Sequence, residues 1–191
     1  MSLTKARLCS ALLALGAWTA PALAADPLLT LSASPSPAEQ GSGVDIQVLI
    51  SDVSDLFGYQ FSLSFDASLL QAVSVSEGAF LGQGGSTFAD GGSIDNGAGT
   101  ISWIFNSLIG NVPGVSGSGV LATIHLDAVG VGTSALAFSD VMFLNSALGD
   151  ITVQAVDGSL AVAAAVPEPG TYLLMAAGIA GLGLWRRRQA A

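Results

Sequence analysis

The alternation of apolar and polar residues is the feature that most restricts how this chain can fold. In "YQFSLSF", residues 59–65, every second side chain is apolar, and "VDIQVLIS", residues 44–51, repeats the pattern. Because successive side chains of a β-strand point to opposite faces, each segment reads as a strand with one buried and one solvated face. Between Asp26 and Ala163 such runs are separated by Gly, Ser, Asp and Asn, and no segment has a helical period. The pattern predicts an all-β protein of two packed antiparallel sheets.

About nine strands are expected in this body, which we place at residues 26–163. Besides the two segments above, strands are predicted over 28–33, 71–76, 100–105, 120–128, 135–139, 151–155 and 159–162. The Gly-rich stretch 82–99 is expected to be a long loop with a short strand around residues 87–88, and loops of that length are usually functional or mobile.

The order of these segments is similar to that of a known family. The chain reads "GVDIQVLISDVSDLFGYQFSLSFDASLLQAVSVSEGAF", then "GTISWIF", "GVLATIHLDAVGVGTSALAFSD" and "ITVQAVDGSLAV". Over residues 28–162 it resembles the bacterial cohesin domain. The resemblance implies a nine-stranded jelly roll that binds a partner with one sheet face, and cohesins typically hold a calcium-loaded dockerin on a scaffolding protein. No partner-binding residue is carried over from the resemblance.

The first 24 residues have the pattern of a secretory signal peptide. Lys5 and Arg7 precede the apolar run "LCSALLALGAWTA", and Ala22 and Ala24 form an A-x-A cleavage site. The apolar run of about 12 residues is too short to span a bilayer, which disfavours the alternative of an uncleaved anchor helix. Cys9 is the single cysteine, so the exported body is predicted to contain no disulfide.

Residues 166–191, "VPEPGTYLLMAAGIAGLGLWRRRQAA", form a second terminal segment. Pro167 and Pro169 flank Glu168, and both prolines favour an extended, accessible backbone. Residues 172–185 are predicted to form a transmembrane helix with Tyr172 and Trp185 at its borders. Fourteen helical residues reach only about 21 Å, short of the roughly 30 Å hydrocarbon core, so the span is marginal. The basic cluster Arg186, Arg187 and Arg188 is expected to stay cytoplasmic and leave the body outside.

This arrangement resembles the PEP-CTERM sorting signal of Gram-negative bacteria. The resemblance implies that an exosortase recognises Pro167, Glu168 and Pro169, removes the tail, and delivers the body to the cell surface or the extracellular matrix. The protein would be anchored in the inner membrane only until it is processed. The alternative is a plain C-terminal anchor behind a stiff linker.

The distribution of charge excludes one class of partner. Residues 26–166 contain thirteen Asp or Glu and no Lys or Arg. Nucleic-acid binding depends on Lys and Arg that neutralise phosphates, so the body is not expected to bind nucleic acid.

Catalytic and metal sites find little support in the sequence. His125 is the single histidine and is expected at a solvated strand position, and one histidine without cysteine is too few ligands for zinc. Most acidic residues adjoin turns, where Asp stabilises the turn itself. We therefore predict no enzyme activity and no cofactor. Asp90, Asp95 and Asn96 in the Gly-rich stretch are retained as candidates for a calcium site, because calcium prefers oxygen ligands.

Two binding functions remain. The first is attachment to a protein, dockerin-like or otherwise, and the alternative is a carbohydrate-binding module for exopolysaccharide or biofilm matrix. Such modules stack sugars on exposed aromatic rings. Trp103 has the same strand parity as Ile101, and Tyr59 the same as Phe61, so both rings are predicted to lie in the core. That placement disfavours an aromatic sugar platform and leaves recognition by polar side chains open.

Overall fold

The computed structural model describes residues 26–166, 170, 174–180 and 186. Residues 174–180 are helical, and among the described residues no helix is both long and apolar enough to cross a membrane. The predicted signal peptide lies outside the described residues, as does half of the predicted transmembrane helix. Predicted site residues that fall outside are Ala22, Ala24, Pro167, Glu168, Pro169, Tyr172, Trp185, Arg187 and Arg188.

The body is built from strands, which confirms the all-β prediction. The described residues form β1 (Leu28–Ser34), β2 (Ala38–Glu39), β3 (Gly43–Ser64), β4 (Leu70–Glu77), β5 (Thr87–Asp90), β6 (Ser93–Asp95), β7 (Thr100–Leu108), β8 (Val115–Ala128), β9 (Gly132–Asn145), β10 (Gln154–Ala155) and β11 (Gly158–Ala163). One 3₁₀ helix spans Leu81–Gly84. The short strand expected around residues 87–88 is confirmed as β5, which pairs with β7. The rest of the expected loop at 82–99 is more ordered than predicted, because β6 also pairs with β7.

Strand β3 belongs to both sheets of the sandwich. Its first half pairs with β1 and β8, and its second half pairs with β7 and β9. The first sheet therefore has the order β10-β1-β3-β8-β4, and the second β5/β6-β7-β3-β9-β11-β2. The two strands predicted at 44–51 and 59–65 are one continuous strand. Asp52 and Asp55, with φ of 56° and 57°, lie at register shifts where β3 bends from one sheet to the other.

The core lies between the two sheets and follows the predicted alternation. Val44, Ile46, Val48 and Ile50 are buried from the first half of β3, and Tyr59, Phe61 and Leu63 are buried from its second half. The Tyr59 hydroxyl donates a hydrogen bond of 2.6 Å to the Leu121 carbonyl of β8. This bond crosses from one sheet to the other, and the prediction that Tyr59 is a core residue is confirmed.

The prediction that Trp103 is a core residue is wrong. On β7, Ile104 pairs with Phe61 and Ile101 pairs with Leu63, so two residues of β7 lie opposite Ser62. This β-bulge adds one residue and reverses the strand parity after it. Ile104 takes the inward position, while Trp103, with φ of 62°, is 56% exposed. Its backbone N–H donates to Ser62 Oγ at 3.1 Å.

Candidate binding face

The outer surface of the second sheet carries a row of side chains across four strands. Asp90 of β5 pairs with Phe105 of β7, Phe105 pairs with Gln60 of β3, and Gln60 pairs with Met142 of β9. Antiparallel pairing places such neighbours on one surface at close range. The bulged Trp103 stands beside this row, two residues before Phe105.

Four apolar side chains of this surface form what we call the aromatic face: Phe88, Trp103, Phe105 and Met142. Phe88 is 60% exposed and Met142 44% exposed, and Phe105 is half-buried. The rings of Phe88 and Phe105 contact each other with their centroids 5.7 Å apart. Large apolar side chains that gather on an exposed surface are typical of an interaction site.

Two shallow clefts lie on either side of Trp103. The cleft towards β9 has a volume of about 600 Å³ and is lined by Gln60, Asp140, Asp150 and Thr152, among others. The cleft towards β5 has a volume of about 370 Å³ and is lined by Asp90, Ser93 and Phe105, among others. We call them the β9 cleft and the β5 cleft. Both combine an aromatic wall with carboxylates.

The predicted position of His125 is confirmed. It lies on β8 in the first sheet, directly across from Asp45 of β3, and its Nδ1 is 2.7 Å from Asp45 Oδ1. Both side chains are about half exposed to solvent, at 42% for His125 and 55% for Asp45. This contact is on the opposite sheet from the aromatic face, and it is the one salt-bridge contact found among residues 26–166.

The three calcium candidates are each engaged with backbone groups. Asp90 Oδ1 accepts from the N–H of Gly92, and Asp95 Oδ1 accepts from Gly97 and Ala98. The Asn96 amide both accepts from and donates to the backbone of Ala72 on β4. Within the described part of the chain, no group of three or more His, Cys, Asp or Glu is arranged to hold a metal ion. The calcium site stays a prediction.

A buried polar contact joins the two sheets behind the aromatic face. Asn106 of β7 is 1% exposed, and its Nδ2 donates to Glu77 Oε1 of β4 at 2.8 Å. Burial raises the pKa of the nearby Tyr59 phenol above its ordinary value, with a smaller contribution from the negative charge of Glu77. The phenol therefore remains protonated and continues to donate to the Leu121 carbonyl.

The comparisons with known proteins identify the family to which this sandwich belongs. Residues 30–162 match the family model of the cohesin domain, and residues 165–188 match that of the PEP-CTERM protein-sorting motif. The chain belongs to the cohesin domain family. The second match spans the predicted sorting residues Pro167, Glu168 and Pro169.

Solved structures have the same fold at low sequence identity. A type II cohesin module of Acetivibrio cellulolyticus is 16% identical with a TM-score of 0.62, covering 74% of this chain and 98% of that one. A non-cellulosomal cohesin of the archaeon Archaeoglobus fulgidus is 16% identical with a TM-score of 0.56, covering 78% and 96%. The chain matched in a type I cohesin–dockerin complex of Clostridium thermocellum is 15% identical with a TM-score of 0.59, covering 73% of this chain and 100% of that one. No curated protein matches the chain.

Sequence reasoning missed most of the aromatic face. The short strand expected around residues 87–88 is confirmed as β5, but the sequence assigns Phe88 no binding role and does not single out Met142. The sequence does contain a signal for the exposure of Phe88. It is an isolated aromatic residue in a polar, Gly-rich stretch, with no apolar neighbours at alternating positions that would indicate a buried face. The outward position of Trp103 had no such signal, because nothing in "TISWIF" marks where the bulge falls.

Proposed function

We propose that this protein is an exported, non-enzymatic binding module that attaches to a partner protein through the aromatic face. The observation that carries the proposal is the set of exposed apolar side chains, Phe88, Trp103 and Met142, on one sheet of a cohesin fold. Burial of such side chains in a well-packed contact supplies most of the binding energy of protein interfaces.

The partner is proposed to be a protein, with a dockerin-like module as the first candidate. The similar solved structures include complexes of a cohesin with a dockerin from Clostridium thermocellum and with an X-dockerin pair from Acetivibrio cellulolyticus. Those titles describe the other proteins, and they support the same class of partner for this chain.

Delivery to the surface is proposed to depend on the two ends of the chain. Residues 1–24 direct export and are cleaved after Ala24. The helix 172–185, with Tyr172, Trp185 and Arg186–Arg188, holds the protein in the inner membrane until an exosortase acts at Pro167–Pro169. The match of residues 165–188 to the sorting motif supports this step. The released body then serves at the cell surface or in the extracellular matrix.

Cross-linking on intact cells of the source bacterium tests the attachment. Cells that produce the full chain with an affinity tag after residue 25 are treated with a carbodiimide, which couples carboxylates of the body to lysine amines of a partner, because residues 26–166 contain no Lys. We expect a discrete cross-linked protein that is lost when Phe88→Ser and Met142→Ser are combined. Val73→Ser, at a 51% exposed position of β4, is the matched control and keeps the cross-link. Equal cross-linking of both variants, or none with the unaltered chain, contradicts the proposal.

The exposure of Trp103 also favours carbohydrate binding as a second candidate function. An exposed indole ring beside polar side chains such as Gln60 and Thr152 is suited to bind a sugar. The predicted core position of Trp103, which disfavoured this function, is wrong. Affinity electrophoresis in the source organism's exopolysaccharide tests it. Retardation that Trp103→Gly abolishes, without any cross-linked protein, supports the second function over the first.

A further inference from the structure

Both clefts beside Trp103 are lined by carboxylates, a feature that the attachment function alone does not explain. Asp140 and Asp150 line the β9 cleft and Asp90 lines the β5 cleft, and all three are exposed. Asp140 Oδ2 is 3.4 Å from the hydroxyl of its neighbour Ser139, and Asp90 uses one carboxylate oxygen for the N–H of Gly92. None of the three is in a salt bridge with another described residue.

A partner that covers this surface must compensate the carboxylates. Dehydration of an ionised carboxylate without a new hydrogen bond or counter-charge is unfavourable, and residues 26–166 contain no Lys or Arg that could supply one. An anionic partner is repelled, and a purely apolar partner leaves the carboxylates uncompensated. The compensating charge must therefore come from the partner.

One kind of side chain satisfies both the indole and the carboxylates. An arginine guanidinium stacks on the face of a tryptophan ring, and it donates paired hydrogen bonds to a carboxylate. The β9 cleft, at about 600 Å³, is large enough for such a side chain next to Trp103.

We propose, resting on the function proposed above, that the partner inserts an arginine side chain into the β9 cleft, with its guanidinium against the Trp103 indole and paired with Asp140 or Asp150. The partner segment has apolar side chains that contact Phe88, Phe105 and Met142, and basic side chains on either side of them. Thirteen acidic residues in the body extend this attraction to longer range, so association is faster at low salt.

Trp103 fluorescence provides a direct test. Trp103 is the single tryptophan of residues 26–166, so Trp18→Phe and Trp185→Phe in the full chain, in detergent, leave it as the reporter. Arg7, Arg186, Arg187 and Arg188 are changed to Gln so that the chain's own arginines do not compete. The probe is the peptide acetyl-Gly-Arg-Leu-Arg-Gly-amide, and its matched control replaces both arginines with the uncharged isostere citrulline.

We expect a saturable fluorescence change with the arginine peptide and roughly tenfold weaker binding of the citrulline peptide. Combining Asp140→Asn with Asp150→Asn is expected to weaken the arginine peptide to the citrulline level. Asp127→Asn, at an exposed carboxylate on β8, removes one negative charge from the other sheet and leaves binding unchanged. Asparagine tolerates the positive φ of Asp140, so the fold is kept.

The proposal is overturned if both peptides bind equally, if neither binds, or if Asp127→Asn has the same effect as the double variant. A saturable change with cellohexaose that the double variant does not alter also overturns it. If the peptide experiment fails but the cell-surface cross-link still depends on Phe88 and Met142, the inserted arginine is ruled out and the attachment function stands. If the peptide experiment and the cross-linking experiment both fail, the attachment function is ruled out as well.

Discussion

At the residue scale, Asp55 joins three segments of the sandwich. Its Oδ1 accepts the N–H of Gly114 at 2.8 Å, and its Oδ2 accepts the hydroxyl of Ser146 at 2.7 Å and the N–H of Ser146 at 3.2 Å. Its own N–H donates to Ser116 Oγ at 2.9 Å. The hydrogen bonds from the Ser146 hydroxyl and from Gly114 hold the pKa of this carboxyl below its ordinary value. The bend of β3 is thereby tied to the loop before β8 and to the end of β9.

This lowered pKa predicts a pH-dependent contribution to stability. The folded pKa of Asp55 is lower than the unfolded value of about 3.9, so the contribution is complete above that value and is lost as pH falls through the folded pKa. Asp55→Asn is expected to lower the thermal midpoint at pH 7 and to flatten its decline below pH 4. Asp52→Asn, at the neighbouring bend of β3, is the control with little effect. Calorimetry from pH 2 to 7 measures both, and identical curves for the two variants contradict the role of Asp55.

Trp103 is predicted to serve binding rather than stability. Its positive φ costs an L-residue about 1–2 kcal/mol, a cost that glycine does not have, while glycine loses about 0.5–1 kcal/mol more entropy on folding. Trp103→Gly is therefore expected to change the free energy of unfolding by less than about 1 kcal/mol. The adjacent Ile104, 2% exposed, is the matched comparison, and Ile104→Ala is expected to cost about 2–5 kcal/mol. Urea denaturation measures both, and a loss with Trp103→Gly equal to that with Ile104→Ala contradicts this assignment.

At the scale of elements, the bulge in β7 decides which side chains form the aromatic face. Ser62 is 5% exposed, and its Oγ accepts the N–H of Trp103 where the ladder between β3 and β7 is interrupted. Ser62→Ala is expected to destabilise the fold by about 1 kcal/mol, because a backbone donor loses its acceptor. Ser107→Ala, further along β7, is the control. Urea denaturation checks the difference, and equal stability of the two variants shows that this bond does not hold the bulge.

The same bulge explains why the alternation of residues predicts part of the fold and not the rest. Alternation located Val44–Ile50 and Tyr59–Phe65 correctly, because strand parity is preserved within each segment. It failed at Trp103, since one inserted residue reverses parity and leaves no trace in composition. It also divided β3 at Asp52–Asp55, where polar residues resemble a turn but the strand only bends. The two-residue strands β2 and β10 were missed or misplaced because their pairing is tertiary and not local.

At the scale of the whole molecule, the charge of the body opposes its own folding. Thirteen acidic residues face no Lys or Arg between residues 26 and 166, so compaction brings like charges together. Added salt screens this repulsion, and the thermal midpoint is expected to rise between about 10 mM and 500 mM sodium chloride. A midpoint that falls over this range contradicts the electrostatic account.

The match to the sorting motif supports placement of the body at the cell surface or outside the cell. We propose that export removes the N-terminal segment and that processing by an exosortase removes the C-terminal helix. What remains is an acidic cohesin domain with an apolar face, bearing Phe88, Trp103 and Met142, that is exposed for binding.

Intact-mass spectrometry of the protein in surface and cytosolic fractions tests this account most directly. We predict that the surface form begins at Ala25 and ends before residue 172, with both hydrophobic segments removed. A folded chain of all 191 residues, recovered from the cytosol with both ends uncleaved, would contradict it.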